Sequence, residues 1–166
     1  QVREAQGMPS KESIVRRLNF CQWTEAENPW ISTEIWKSAK REYDIESLRG
    51  RRAVAAMDLS STTDLTGLVF LVEPIEPGEP WKIVAFGWMP EHELARKSEK
   101  DVRDDTYVRW AAQGHLLTTP GRAISKRMVL QKLSAMCDFF DVSHCAYDRW
   151  RIEDLIALAS DEGITL

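Results

Sequence analysis

The chain contains 166 residues, of which 43% are hydrophobic, and it carries a formal net charge of −4 at pH 7. That length suits one domain with room for an additional arm. The acidic balance gives no overall sign of nucleic-acid binding, although a local basic patch can bind phosphates on an acidic protein. No hydrophobic run approaches the length of a membrane span, so we expect no membrane partner.

The three cysteines, Cys21, Cys137 and Cys145, are odd in number and form no CxxC pair. This usage predicts a reducing compartment, and it argues against both a disulfide framework and a structural zinc site. The first residues, "QVREAQGM", and the last, "DEGITL", are typical of sequence inside a longer protein. We therefore expect the chain to be a fragment.

Residues 1–50 differ in character from the rest of the chain. They are rich in charge and show two short helical patterns, one after Ser10 and one after Ser32 or Thr33. They contain three tryptophans, Trp23, Trp30 and Trp36. Such large aromatic side chains are expected to pack against another protein surface. We predict that residues 1–50 are a linker or packing arm and that residues 51–166 are the globular domain.

Three strands are predicted in the first part of that domain. The apolar run "RAVAAMD" is bounded by charge and is typical of a central strand. A second run, "LTGLVFLVEP", is closed by Pro74, and a third, "WKIVAFGWMP", ends at Pro90. Because the connections between them are short, we predict an antiparallel meander.

After Pro90 the pattern changes to helices that alternate with strands. Helices are predicted across "EHELARKSEKDVRDDTYVRWAAQG", with a break near Asp104 and Asp105, across "AISKRMVLQKLSAMCDFFD", and across "RIEDLIALASDEG". "SHCAYD" is a fourth strand, and "ITL" begins a fifth. We therefore predict an α/β protein with a mixed five-stranded sheet, flanking helices and an incomplete C-terminal part. This element order is that of the ribonuclease H-like fold, an analogy that establishes no function by itself.

Two aspartates lie at the ends of predicted strands that are neighbours in this topology. Asp58 ends the first strand and Asp148 ends the fourth. Because these strands would run parallel, their carboxyl ends lie side by side and the two carboxylates face one crevice. Mg²⁺ and Mn²⁺ prefer such oxygen ligands, and two ions can hold a phosphodiester while water attacks it. The pair therefore predicts a metal-dependent hydrolytic site.

The aspartates near this site also have structural interpretations. Asp58 alone would be a turn residue whose side chain bonds to the backbone of "LSST". Asp148 shifts the balance towards a metal site, because two neighbouring carboxylates repel each other and a cation relieves that repulsion. Asp64 either begins the second strand as a turn residue or supports the metal site without contacting the ions. Both roles of Asp64 stay open.

Basic residues cluster near the two aspartates. The set comprises Arg122, Lys126, Arg127, Arg149 and Arg151. Phosphate contacts of a metal nuclease would use such residues, whereas solvated helix ends would show the same pattern. Other chemistries lack support, since the chain has no phosphate loop of the GxxxxGKS or GxxxxGKT type and no nucleophile elbow.

Three segments, in this order and at this spacing, resemble the nuclease domain of the large terminase subunit of tailed phages and prophages. They are "AAMDLSSTTDLTGLVFLV", "FGWMPEHEL" and "CAYDRWRIEDL". "MPSKESIVRRLNFCQW", followed by "WIS", is similar to the linker that joins the family's ATPase motor to its nuclease. The resemblance covers essentially the whole chain.

The resemblance implies a ribonuclease H-like endonuclease that cuts concatemeric viral DNA at the start and end of packaging. It implies that Asp58 and Asp148 are catalytic carboxylates that bind two Mg²⁺ or Mn²⁺ ions, with Asp64 in a supporting role. The implied partners are double-stranded DNA, the ATPase domain, the small terminase subunit and the portal, in the cytoplasm of an infected or lysogenic bacterium. The family's third acidic ligand comes from a later segment, so no residue is assigned to it.

Two other functions stay open on the sequence. A catalytically idle ribonuclease H-like module would use the tryptophan-containing arm for docking or regulation. A recombinase or transposase core of the same fold would also place carboxylates on its first and fourth strands. Metal binding that depends on Asp58 distinguishes a nuclease from the idle module, and strand transfer would identify a recombinase.

Overall fold

The computed structural model describes residues 9–21, 31–100, 105–149 and 152–164. The chain divides into two compact units, with the boundary between Asp44 and Ile45. Each unit is a group of residues that mainly contact one another. The assignment of residues 1–50 as a linker or arm stays a prediction. No helix in the described ranges is long and apolar enough to cross a membrane.

The first unit contains the two helices predicted for it. They are α1 (Pro9–Phe20) and α2 (Thr33–Ser38). The hydroxyl of Ser32 accepts a hydrogen bond from the N–H of Ile35 at 3.3 Å, which caps α2 at its start. Trp36 on α2 is 68% exposed, whereas Trp23 and Trp30 lie outside the described residues.

The second unit alternates strands and helices in the predicted order. After a 3₁₀ helix (Ile45–Leu48), it contains β1 (Arg52–Asp58), β2 (Thr66–Val72), β3 (Lys82–Pro90), α3 (Glu91–Lys100), α4 (Thr106–Ala112), β4 (Leu117–Thr119), α5 (Lys126–Phe139), β5 (Asp141–Tyr147) and α6 (Ile152–Asp161). Of the helix break predicted near Asp104 and Asp105, Asp104 lies outside the described residues, and Asp105 is described as the residue that precedes α4.

The five strands form one mixed sheet in the order β4-β3-β2-β1-β5. β1, β2 and β3 pair antiparallel, whereas β5 pairs parallel to β1 and β4 pairs parallel to β3. The predicted meander and the mixed five-stranded sheet are therefore confirmed. The strand that completes the sheet is β4 (Leu117–Thr119), for which the sequence predicts only a short extended piece. Of the strand expected at "ITL", Ile164 is described and is not in a strand, and the other two residues lie outside the described ranges.

Alternating side chains of the central strands build the core. On β2 the residues Thr66, Leu68, Phe70 and Val72 are buried, and the residues between them are only half-buried. α5 contributes buried residues to the same core cluster: Val129, Leu130, Leu133 and Met136. Burial of this one face holds the register of the sheet, because a slip by one residue would turn every apolar side chain outward.

An ion pair joins the start of β1 to the connection between β2 and β3. The guanidinium of Arg51 donates to both carboxylate oxygens of Glu79 at 2.9 Å, and Lys82 donates to the same carboxylate. Hydrogen bonds from Arg51 and then Lys82 hold the pKa of Glu79 well below its ordinary value. This anchor stabilises the pairing of the strands at the end of β1 remote from Asp58.

Candidate active site

Asp58 and Asp148 lie at the same end of two hydrogen-bonded parallel strands. Met57 of β1 is level with Tyr147 of β5, and each aspartate is the next residue along its chain segment. Neighbouring strands are about 5 Å apart, so the backbones that carry these two carboxylates end side by side. Met57 is buried in the core, and Asp58 therefore points to the opposite face of the sheet.

A β-bulge interrupts the pairing of β5 with β1. Residues 53–55 of β1 face residues 142–145 of β5, so β5 has one residue more than its partner over this stretch. The hydroxyl of Ser143, inside the bulge, donates to the carbonyl oxygen of Ala53 at 3.4 Å. A side chain therefore bonds to β1 where the regular pairing of the two strands is disturbed.

The bulge decides which face of the sheet Asp148 occupies. Successive residues of a strand point to opposite faces, and Val142 packs against the core. Uninterrupted alternation from Val142 would put Asp148 on the core face as well, because Asp148 lies an even number of positions further along the chain. The extra residue reverses the alternation, so Cys145 packs against the core, and the same alternation continued past Tyr147 directs Asp148 to the face of Asp58.

The chemistry of these two donors fits Mg²⁺ or Mn²⁺. Both carboxylates are exposed and offer only hard oxygen atoms, the ligands these ions prefer alongside water. In the ranges that the structure describes, no group of three or more His, Cys, Asp or Glu residues is arranged to hold a metal ion. Within the described ranges, Asp58 and Asp148 are therefore a pair of candidate ligands and not part of a larger acidic cluster.

The surface beside Asp58 is open on the β2 side. Gly67 of β2 is level with Asp58, and a Cβ added to Gly67 would meet no atom within 4 Å. Packing therefore does not require a glycine here. A glycine inside a strand often marks a position where a ligand or another backbone approaches closely, and this one leaves the carboxylate of Asp58 accessible.

Asp64 lies in the loop 59–65 that connects β1 to β2. Its side chain is exposed, and within the described part of the chain it makes no hydrogen bond or ion pair. The loop itself is anchored, since the carbonyl oxygen of Ser61 accepts a hydrogen bond from the N–H of Ile124 at 2.9 Å. The geometry is compatible with a supporting role for Asp64 near Asp58 and shows no turn-stabilising bond from its carboxylate.

Two of the predicted DNA contacts are neutralised by ion pairs. Lys126 at the start of α5 pairs with Asp154 of α6. Arg127 donates from Nε to Oε1 of Glu162 at 2.6 Å. Both cations therefore join α5 to the region of α6, which is a structural role that the sequence pattern did not distinguish from phosphate binding.

The other predicted DNA contacts are differently placed. Arg122 and Arg149 are exposed, and neither forms an ion pair with another residue that the structure describes. Arg122 lies two residues before Ile124, whose N–H bonds to the loop that follows Asp58. Arg149 directly follows Asp148. Arg151 lies outside the described residues.

Comparisons with known proteins relate this geometry to a family. The family described as "Terminase large subunit, endonuclease domain" matches residues 1–162. The large subunit of the terminase of Enterobacteria phage HK97 is 32% identical over 166 residues, which cover 100% of this chain and 32% of that protein. The crystal structure of the HK97 bacteriophage large terminase has a TM-score of 0.70 and 31% identity, over 99% of this chain and 33% of that chain.

This chain spans about one third of the length of both relatives. The match in sequence and the match in structure cover the same region, which contains the mixed sheet, Asp58 and Asp148. The resemblance found in the sequence motifs is thereby confirmed. The chain belongs to the family of terminase large-subunit endonuclease domains.

Proposed function

We propose that this chain is a Mg²⁺- or Mn²⁺-dependent endonuclease domain that cuts concatemeric viral DNA during genome packaging, within a larger terminase subunit. The observation that carries the proposal is the parallel register of β1 and β5, which sets Met57 level with Tyr147, each directly before one of the two aspartates. Membership of the terminase endonuclease family supports the reaction class.

Asp58 and Asp148 would bind two divalent ions through their carboxylate oxygens. Bound ions of this kind provide a nucleophilic water and stabilise charge on the leaving oxygen of a phosphodiester. The negative charge of the pair holds the cations, and the open surface at Gly67 admits the DNA backbone. Asp64 would support the site from the loop 59–65 without contacting the ions.

The partners in this proposal follow the family. Double-stranded DNA is the substrate, and the ATPase domain, the small terminase subunit and the portal are the packaging partners, in the cytoplasm of an infected or lysogenic bacterium. The HK97 relatives, of which this chain covers about one third, are described as terminase large subunits. That membership supports packaging as the setting of the reaction.

Metal titration tests the proposed site on the chain itself. We expect millimolar Mn²⁺ to raise the midpoint of thermal unfolding, because an ion that binds only the folded state stabilises it. Asp58→Asn should abolish the shift, whereas Asp138→Asn, which changes an exposed aspartate on α5, should retain it. An unchanged midpoint of the wild-type chain at millimolar Mn²⁺ would contradict the proposal and favour the idle docking module.

The arginines should differ in their contribution to DNA binding. We expect Arg122→Ala and Arg149→Ala each to lower the slope of log K against log salt concentration by about 1, the value for one phosphate contact. Arg127→Ala is the matched control and should change the slope less, because Glu162 already neutralises that guanidinium. Fluorescence anisotropy with a DNA duplex at several salt concentrations measures the slopes. Equal slopes for all three variants would reject this ranking.

A further inference from the structure

Thr66 is a buried polar residue at the first position of β2. Its relative exposure is 0%, and its hydroxyl makes two hydrogen bonds with the backbone of Ser60. The N–H of Ser60 donates to Oγ1 of Thr66 at 2.9 Å, and the hydroxyl donates to the carbonyl oxygen of Ser60 at 3.2 Å. One side chain therefore closes the base of the loop 59–65 by satisfying both backbone groups of a single residue.

This closure lies directly next to Asp58. Ser60 follows Asp58 by two residues, and the residue between them, Leu59, packs against the core. On the other side of Asp58, Met57 is buried. The backbone of Asp58 is thus held by core packing before and after it, and the bonds from Thr66 prevent the following segment from moving away from β2.

We propose that Thr66 is a positioning residue that holds the Asp58 carboxylate in the geometry required for metal binding. This inference rests on the proposed function, because it assumes that Asp58 binds the ion. Thr66 does not touch the ion site. It acts through the backbone of Ser60, in the way that hydrogen-bonded partners around a metal site orient the ligands themselves.

Loss of the hydroxyl would leave the two backbone groups of Ser60 without their buried partner. Valine has nearly the same shape as threonine but cannot donate or accept a hydrogen bond. The loop 59–65 would then open more often, since unsatisfied buried groups favour exposure to water. Asp58, at the start of this loop, would sample more orientations and would bind Mn²⁺ more weakly.

The test compares three variants of the chain. Thr66→Val should weaken Mn²⁺ binding by about tenfold or more, the scale found when groups that orient metal ligands are removed. Thr66→Ser keeps the hydroxyl and should bind Mn²⁺ with the affinity of the wild-type chain. Val72→Ala is the control, because Val72 is equally buried but lies at the other end of β2, level with Ala53 and remote from Asp58 and the loop 59–65. It should leave Mn²⁺ affinity unchanged.

Calorimetry with Mn²⁺ measures affinity at a temperature where circular dichroism shows every variant to be folded. Hydrogen exchange without metal gives a second readout, in which the Ser60 amide should lose protection in Thr66→Val and keep it in Thr66→Ser. Wild-type affinity in Thr66→Val would overturn the inference, and so would an equal loss in Val72→Ala. If Asp58→Asn binds Mn²⁺ like the wild type, the proposed function fails instead, which distinguishes the two results.

Discussion

Asp58→Asn and Asp148→Asn are each expected to reduce DNA cleavage by at least about 10²- to 10³-fold, the effect of removing one group that stabilises transition-state charge. Asparagine keeps the size of the side chain but removes the negative charge that, in the proposed function, holds a divalent cation. Because both carboxylates are exposed, the substitutions create no cavity, and circular dichroism should show an unchanged fold. The loss of activity would therefore report on chemistry and not on stability.

The assay follows the conversion of supercoiled plasmid to nicked and linear DNA in Mn²⁺, with the chain inside the larger terminase subunit of the proposed function. Asp138→Asn serves as the control for loss of an exposed carboxylate and should cut like the wild type. Full Mn²⁺-dependent cutting by both active-site variants would refute the assignment. Strand-transfer products from the wild-type protein would instead identify a recombinase or transposase core.

Phe70→Ala is expected to lower the free energy of unfolding by about 3–5 kcal/mol, the usual cost of removing a buried aromatic ring. Phe70 is 0% exposed on the central strand β2. Its ring centroid lies 5.5 Å from that of Phe140 and 6.4 Å from that of Phe86. Alanine would leave a cavity between the sheet and the residue that follows α5, and neighbouring rings would lose their packing partner.

Urea unfolding monitored by circular dichroism measures this loss. Ile83→Ala on β3 is the control, because Ile83 is 59% exposed and a surface substitution of this kind costs within about 0.5 kcal/mol. A loss below about 1 kcal/mol for Phe70→Ala would show that the sheet face carrying Phe70 is not the core of this unit.

The meander was predictable because its signals are local. Apolar runs closed by Pro74 and Pro90 define β2 and β3 without reference to the rest of the chain. β4 was predicted only as an extended piece, since its three residues show too short a pattern to indicate pairing. It becomes a strand because it pairs with β3 in the folded sheet, a contact between segments that no local pattern records.

The basic residues illustrate the same limit at the site. Their clustering near the aspartates is visible in the sequence. The sequence pattern predicts DNA contact equally for Arg122 and Arg127. Only the packing of α5 near α6 shows that Glu162 neutralises Arg127. Charge compensation depends on which helices become neighbours, and that is a property of tertiary structure.

The sequence by itself determined the strand ends that carry Asp58 and Asp148, the order of the elements, and the family, because these follow from local patterns and motif spacing. Tertiary structure decided that the two carboxylates share one face. A strand with regular alternation from Val142 would have turned Asp148 towards the core, and the bulge around Ser143 prevents this. The position of an extra residue in a strand depends on pairing with a distant partner, and the sequence of one strand does not reveal it.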